Sequence, residues 1–117
     1  PESWYSWRHQ LTALAEAGYF AVAPDTRGYG GSDAPPEIAD YDIHCIAADV
    51  LGLLRSYKRS QAYLVGHDFG ANYTWHLARM FPNVFPAICA MSVPDIFFTE
   101  SSRTPLATMV DVFGKYE

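Results

Sequence analysis

Residues 62–65 form a short apolar run, and Gly66-His67-Asp68-Phe69-Gly70 follows it directly, with helical character from Ala71 onward. This stretch limits the possible folds more than any other part of the sequence. A strand that turns straight into a helix packed on the same sheet has little room for Cβ atoms at the bend, which accounts for Gly66, Gly70 and Ala71. The apex residue, Asp68, is then pushed outward in strained backbone, as in the G-x-S-x-G turn, with the N–H of the next residue aimed at the same space. A carboxylate at a helix start is favoured as the anion by the helix dipole and can attack an electrophilic carbon without an activating base. The plainer alternative is a loop followed by a helix cap, because Asp is a favoured N-cap. Relaxed backbone at Asp68, or oxygens turned inward to an arginine or an amide, would remove the basis for the chemical reading.

The surrounding pattern is α/β. Trp7, Leu11, Leu14 and Ala15 recur at helical spacing, with Gly18 placed to end the helix. Trp4 belongs to the core or a pocket wall, whereas packing explains Tyr5 and Trp7. Residues 19–23 are continuously apolar, as in a parallel strand covered on both faces. A long loop rich in Gly and Pro follows over 24–36, where Asp25 and Arg27 serve an ion pair or satisfy loop backbone. Its glycines, Gly28, Gly30 and Gly31, match neither phosphate-binding order.

Ile46, Val50, Leu53, Leu54 and Tyr57 predict a second helix with Asp42 as cap and one side on a sheet; Gly52 within it suggests close approach of another backbone. After the bend, Ala71, Trp75, Ala78, Met80 and Phe81 predict a centrally buried helix closed by Pro82, and residues 86–93 read as a third strand. His67 and His76 fit packing or hydrogen bonding better than ligation. Alternating strands and helices imply a parallel sheet with helices on both faces.

Composition removes several classes of function. Half of the 117 residues are hydrophobic, which gives one soluble globular domain at most, and the net charge of −5 disfavours nucleic acid or an anionic membrane as partner. No apolar run reaches the roughly 20 residues of a membrane span. Cys45 and Cys89 read as buried free thiols, which leans towards the cytoplasm, and four scattered His residues offer no metal site. The start at Pro1 and the unfinished pattern at Glu117 mark the chain as a piece of a longer protein.

Asp25-Thr-Arg-Gly-Tyr-Gly-Gly-Ser32, then Gly66-His-Asp-Phe-Gly70, then Ser92-Val-Pro94, in this order, resemble the α/β-hydrolase superfamily. Pro1-Glu-Ser-Trp-Tyr-Ser-Trp-Arg8 and Gly28-Tyr-Gly-Gly-Ser-Asp-Ala-Pro-Pro-Glu-Ile38 look more narrowly like soluble epoxide hydrolases. The resemblance implies a partial α/β-hydrolase core over 1–94 and the start of a cap over 95–117. It implies that Asp68 opens a small apolar epoxide through an alkyl-enzyme ester that water then cleaves to a vicinal diol, without a cofactor.

By the same resemblance, Phe69 N–H is one oxyanion donor, Pro1 is the last residue of a His-Gly-x-Pro turn, and Pro1, Trp4 and Phe69 line the substrate. The family's water-activating His, its acid partner and the cap tyrosines match nothing in this chain, Tyr73 and Tyr116 included. In this family the strand before the His-Gly-x-Pro turn lies between those at 19–23 and 62–65, so the segment is not expected to be stable or active alone. The alternatives are a haloalkane dehalogenase, although Phe69 lacks the ring N–H that a Trp would offer a halide, and a non-catalytic relative that binds a ligand.

Overall fold

The computed structural model describes residues 2–95. Of the expected cap segment 95–117 only Asp95 is described, and Pro1 also lies outside the described residues. The chain forms two compact units, one up to Ser60 and one from Gln61 onward.

The first unit opens with a 3-10 turn over Trp4–Trp7 that runs into helix α1, Arg8–Glu16. Gly18 ends α1 as its position in the sequence predicts: at φ +88° it takes the left-handed conformation, and Gly18 and Tyr19 N–H groups return to Ala15 and Leu14 carbonyls. Helix α2, Ile43–Ser56, starts where Asp42 Oδ1 accepts the His44 N–H at 2.7 Å, and it buries Ile46 and Ala47. It ends at Lys58, a non-glycine residue at φ +53° whose N–H, with that of Arg59, caps the last carbonyls.

Two expectations change in this unit. Residues 19–23 pair with no strand among the described residues, and Tyr19, Phe20 and Val22 are exposed. The apolar, β-prone composition supplies extended backbone, but a ladder also needs a neighbour for its N–H and C=O groups. Phe20 instead packs edge-on against Tyr57, ring centroids 5.1 Å apart. At Gly52 no other backbone among the described residues approaches, since an added Cβ would meet only the tip of Arg55.

The loop after Pro24 behaves as expected. Asp25 accepts the Trp4 N–H at 2.6 Å and the Gly31 N–H at 3.0 Å, and these two bonds, Gly31's first, hold its carboxyl below the usual carboxylate range. Arg27 grips Asp49 of α2 with two parallel bonds of 2.7 and 2.8 Å and also donates to Asp40 O. The Asp49 hydrogen bonds are the main reason its guanidinium holds its proton more tightly than usual.

The described residues of the second unit form one β-α-β turn of chain. Strand β1, Leu64–His67, pairs in parallel with β2, Ile88–Met91, in the register Leu64 to Ile88 through His67 to Met91. Helix α3, Phe69–Met80, packs on this sheet and buries Ala71, Thr74 and Leu77, a one-face stripe at i, i+3 and i+6. It is therefore buried along one stripe rather than all round. Thr74, the buried polar member, is satisfied by donating to Gly70 O at 2.8 Å. Met80 is the last helical residue, two before Pro82, as a proline requires. Both thiols are free, but Cys89 is exposed because it alternates onto the sheet face away from α3, so burial was the wrong expectation for it.

Candidate active site

Asp68 stands between the end of β1 and the first turn of α3, at φ +54° and ψ −121°. A non-glycine residue there is strained by about 1–3 kcal/mol and persists only where its surroundings over-determine it. Three contacts do so. Its N–H donates to Met91 O at 3.3 Å, and its carbonyl accepts from Ala71 at 3.0 Å and Asn72 at 3.2 Å.

The glycines at the bend have unequal roles. A Cβ on Gly66 would stand 2.2 Å from Gly70 O and 2.4 Å from Thr74 Oγ1, so strand and helix meet through bare backbone. Ala71 is completely buried, as the tight corner predicts. Gly70 departs from that prediction, because a Cβ there would meet nothing within 4 Å among the described residues. Its backbone, not the space beside it, makes the corner.

The half-buried Asp68 carboxylate accepts the Phe69 N–H through Oδ1 at 2.8 Å. That is an inward bond to an amide, but to the one amide the chemical reading assigns to this space. Among the described residues Oδ2 has no hydrogen-bond partner, and no arginine of theirs engages either oxygen. The Phe69 side chain is 54 % exposed. The structure thus brings Asp68 and Phe69 together. Trp4, 47 % exposed, lies in the first unit against Tyr5, with ring centroids 5.7 Å apart.

His67 is an exposed strand residue opposite Met91, and His76 lies on α3, its pKa lowered chiefly by burial and then by Arg79, with Asp95 opposing. Among the described residues no three His, Cys, Asp or Glu side chains converge as a metal site requires. No helix among them is long and apolar enough to cross a membrane.

Two contacts escaped the sequence reading, which placed Trp75 only on an apolar helix face and did not single out Arg79. Trp75 Nε1 donates to Val93 O at 3.1 Å, and Arg79 pairs with Asp95. No local signal pointed to either, because the partners lie 18 and 16 residues away.

The alpha/beta hydrolase fold model matches residues 1–116. Epoxide hydrolase A of Mycobacterium tuberculosis is 50 % identical over 94 residues, 80 % of this chain and 29 % of that protein. Epoxide hydrolase 2 of Siraitia grosvenorii is 44 % identical over 112 residues, covering 91 % of this chain and 35 % of its own length. Among solved structures, the crystal structure of epoxide hydrolase A from Mycobacterium thermoresistibile superposes with a TM-score of 0.85 at 43 % identity, over 97 % of this chain and 35 % of that one. The chain thus spans about a third of the length of these relatives. With the strand, strained Asp turn and helix in the family's order, the chain belongs to the alpha/beta hydrolase fold family.

Proposed function

We propose that the whole protein containing this chain hydrolyses epoxides to vicinal diols through an ester on Asp68. One observation carries the reading: a strained apex presents a carboxylate with one oxygen held by Phe69 N–H and the other unengaged among the described residues. The names of the epoxide hydrolases it resembles support the substrate class.

In the first step Oδ2 attacks an epoxide carbon, the ring C–O bond breaks, and the freed ring oxygen takes a proton from an acid in the rest of the protein. Water, giving a proton to a base in the rest of the protein, then adds to the ester carbonyl at Cγ. The negative charge develops on Oδ1, which already faces the Phe69 N–H; a donor so placed contributes some 3 kcal/mol to such a transition state. Collapse breaks the Cγ–Oδ2 bond. Oδ2 departs with the diol, and the water oxygen remains in Asp68. The exposed ring of Phe69 is assigned to an apolar substrate wall, where burial against an apolar substituent gives roughly 25 cal/mol per Å².

A single turnover of the whole protein in heavy-oxygen water tests this reading. Label should appear in the Asp68 side chain, and label passing directly to the diol with none in Asp68 would remove the covalent route. Turnover of a haloalkane and of no epoxide would transfer the same nucleophile to dehalogenation.

A further inference from the structure

Three contacts join the elbow and its helix to one five-residue stretch. Asp68 N–H donates to Met91 O, Trp75 Nε1 donates to Val93 O, and the Arg79 guanidinium pairs with Asp95. On the helix side the three positions are separated by seven and then four residues, which puts them on one face. On the other side they are alternate residues.

The lengths agree. From position 68 to 79 a helix rises about 16 Å, while four peptide units reach about 13–14 Å. Helical side chains lean towards the N-terminus, so Arg79 reaches back over the difference. Residues 91–95 therefore run beside α3 from its start towards its last turn. Ser92, at φ +70°, makes the bend that redirects the chain out of β2.

We propose that residues 91–95 tether α3 so that the Asp68 elbow keeps its strained geometry, with Trp75 and Arg79 as positioning residues for the Asp68 carboxylate. The ladder to β2 fixes the strand side of the bend, but a helix packed on a sheet through small residues can still turn about its own axis. Contacts at the N-cap, the middle and the last turn remove that freedom. The Arg79 side chain is 39 % exposed and that of Asp95 12 %, so water screens one end of the pair and limits what it adds to stability. Geometry at a reacting oxygen is less forgiving, since a misplacement of about 1 Å costs around 100-fold in rate.

Only the kinetic arm of the test rests on the proposed role of Asp68. In the whole protein, Trp75→Phe removes the indole N–H and keeps an aromatic ring, Arg79→Gln and Asp95→Asn each break the ion pair, and Arg79→Asp with Asp95→Arg reverses it. Amide hydrogen exchange at Phe69 to Asn72 should quicken about 10-fold in the single variants, with the rest of α3 protected as before. The single-turnover rate of ester formation should fall about 10-fold with substrate Kd within about twofold, and the reversed pair should recover most of both losses.

Unchanged elbow exchange would overturn the tether, as would quickening spread evenly along α3 or faster exchange with full-speed ester formation. A protein that forms no ester with any epoxide yet shows the local exchange pattern and its recovery would refute the nucleophile and uphold the tether.

Discussion

Asp25 and Asp68 both follow an apolar run and sit in glycine-rich bends, yet the two bends distribute strain in opposite ways. Around Asp25 the glycines take the unusual backbone, Gly28 at φ +84° and Gly30 at φ +55°, and a Cβ on Gly30 would stand 2.1 Å from the Asp25 carboxylate. The carboxylate itself spends both oxygens on backbone N–H groups, Oδ1 on Trp4 and Oδ2 on Gly31. At the second bend Asp68 bears the positive φ and gives one oxygen to Phe69. A carboxylate with both oxygens committed is part of the scaffold. One that carries strain and keeps an oxygen unengaged among the described residues is suited to chemistry.

Replacing each acid by its amide should separate the two most widely. In the whole protein Asp68→Asn should abolish ester formation, a loss of about 10⁴-fold or more, while the unfolding midpoint stays close to the parent's. Asp25→Asn should do the reverse, lowering the unfolding midpoint through the loop and leaving the covalent ester detectable by mass spectrometry. Equal rate losses in both variants would erase the distinction between the two carboxylates.

The next effect concerns how the bends are closed. Gly66→Ala forces a Cβ against Gly70 backbone, which cannot yield as a flexible side chain would, so denaturant unfolding should show a loss of about 3 kcal/mol. Parent-like stability would mean that β1 and α3 are less closely apposed than the 2.2 Å approach implies.

Titration probes Asp25 alone. Its folded pKa lies below the ordinary carboxylate range, so its two hydrogen bonds contribute fully above that range and are lost as pH falls through the lowered value. Acid unfolding followed down from pH about 5 should therefore be steeper in the parent than in Asp25→Asn, with the difference confined below about pH 4.

The parts visible in the sequence are those set by local chemistry. Helical spacing identified α1 and α2, Asp42 and Gly18 marked their ends, and the Gly66 to Gly70 pentapeptide located the nucleophile candidate within its turn. Where partners are distant, sequence reasoning stopped. Residues 19–23 have strand composition, but pairing is a property of two segments, and the first shows nothing of the second. Trp75 to Val93 and Arg79 to Asp95 are separated by 18 and 16 residues, so neither contact follows from the periodicity that found α3. Gly52 and Gly70 were overread for a related reason: a glycine reports that no side chain is present, not what lies beside it.

Gly70 allows the smallest and sharpest contrast. It is helical, with an ordinary negative φ, and an added Cβ would meet nothing within 4 Å, whereas the same methyl on Gly66 would collide with Gly70 itself. Alanine loses less backbone freedom than glycine on entering a helix, so Gly70→Ala should stabilise the whole protein by about 0.5–1 kcal/mol. The expected result is a small upward shift in the denaturant midpoint with an unchanged slope, opposite in sign to Gly66→Ala. If Gly70→Ala instead destabilised the protein as much as Gly66→Ala does, the space beside Gly70 would be filled in the whole protein, and the bend would need small residues on both sides of Asp68.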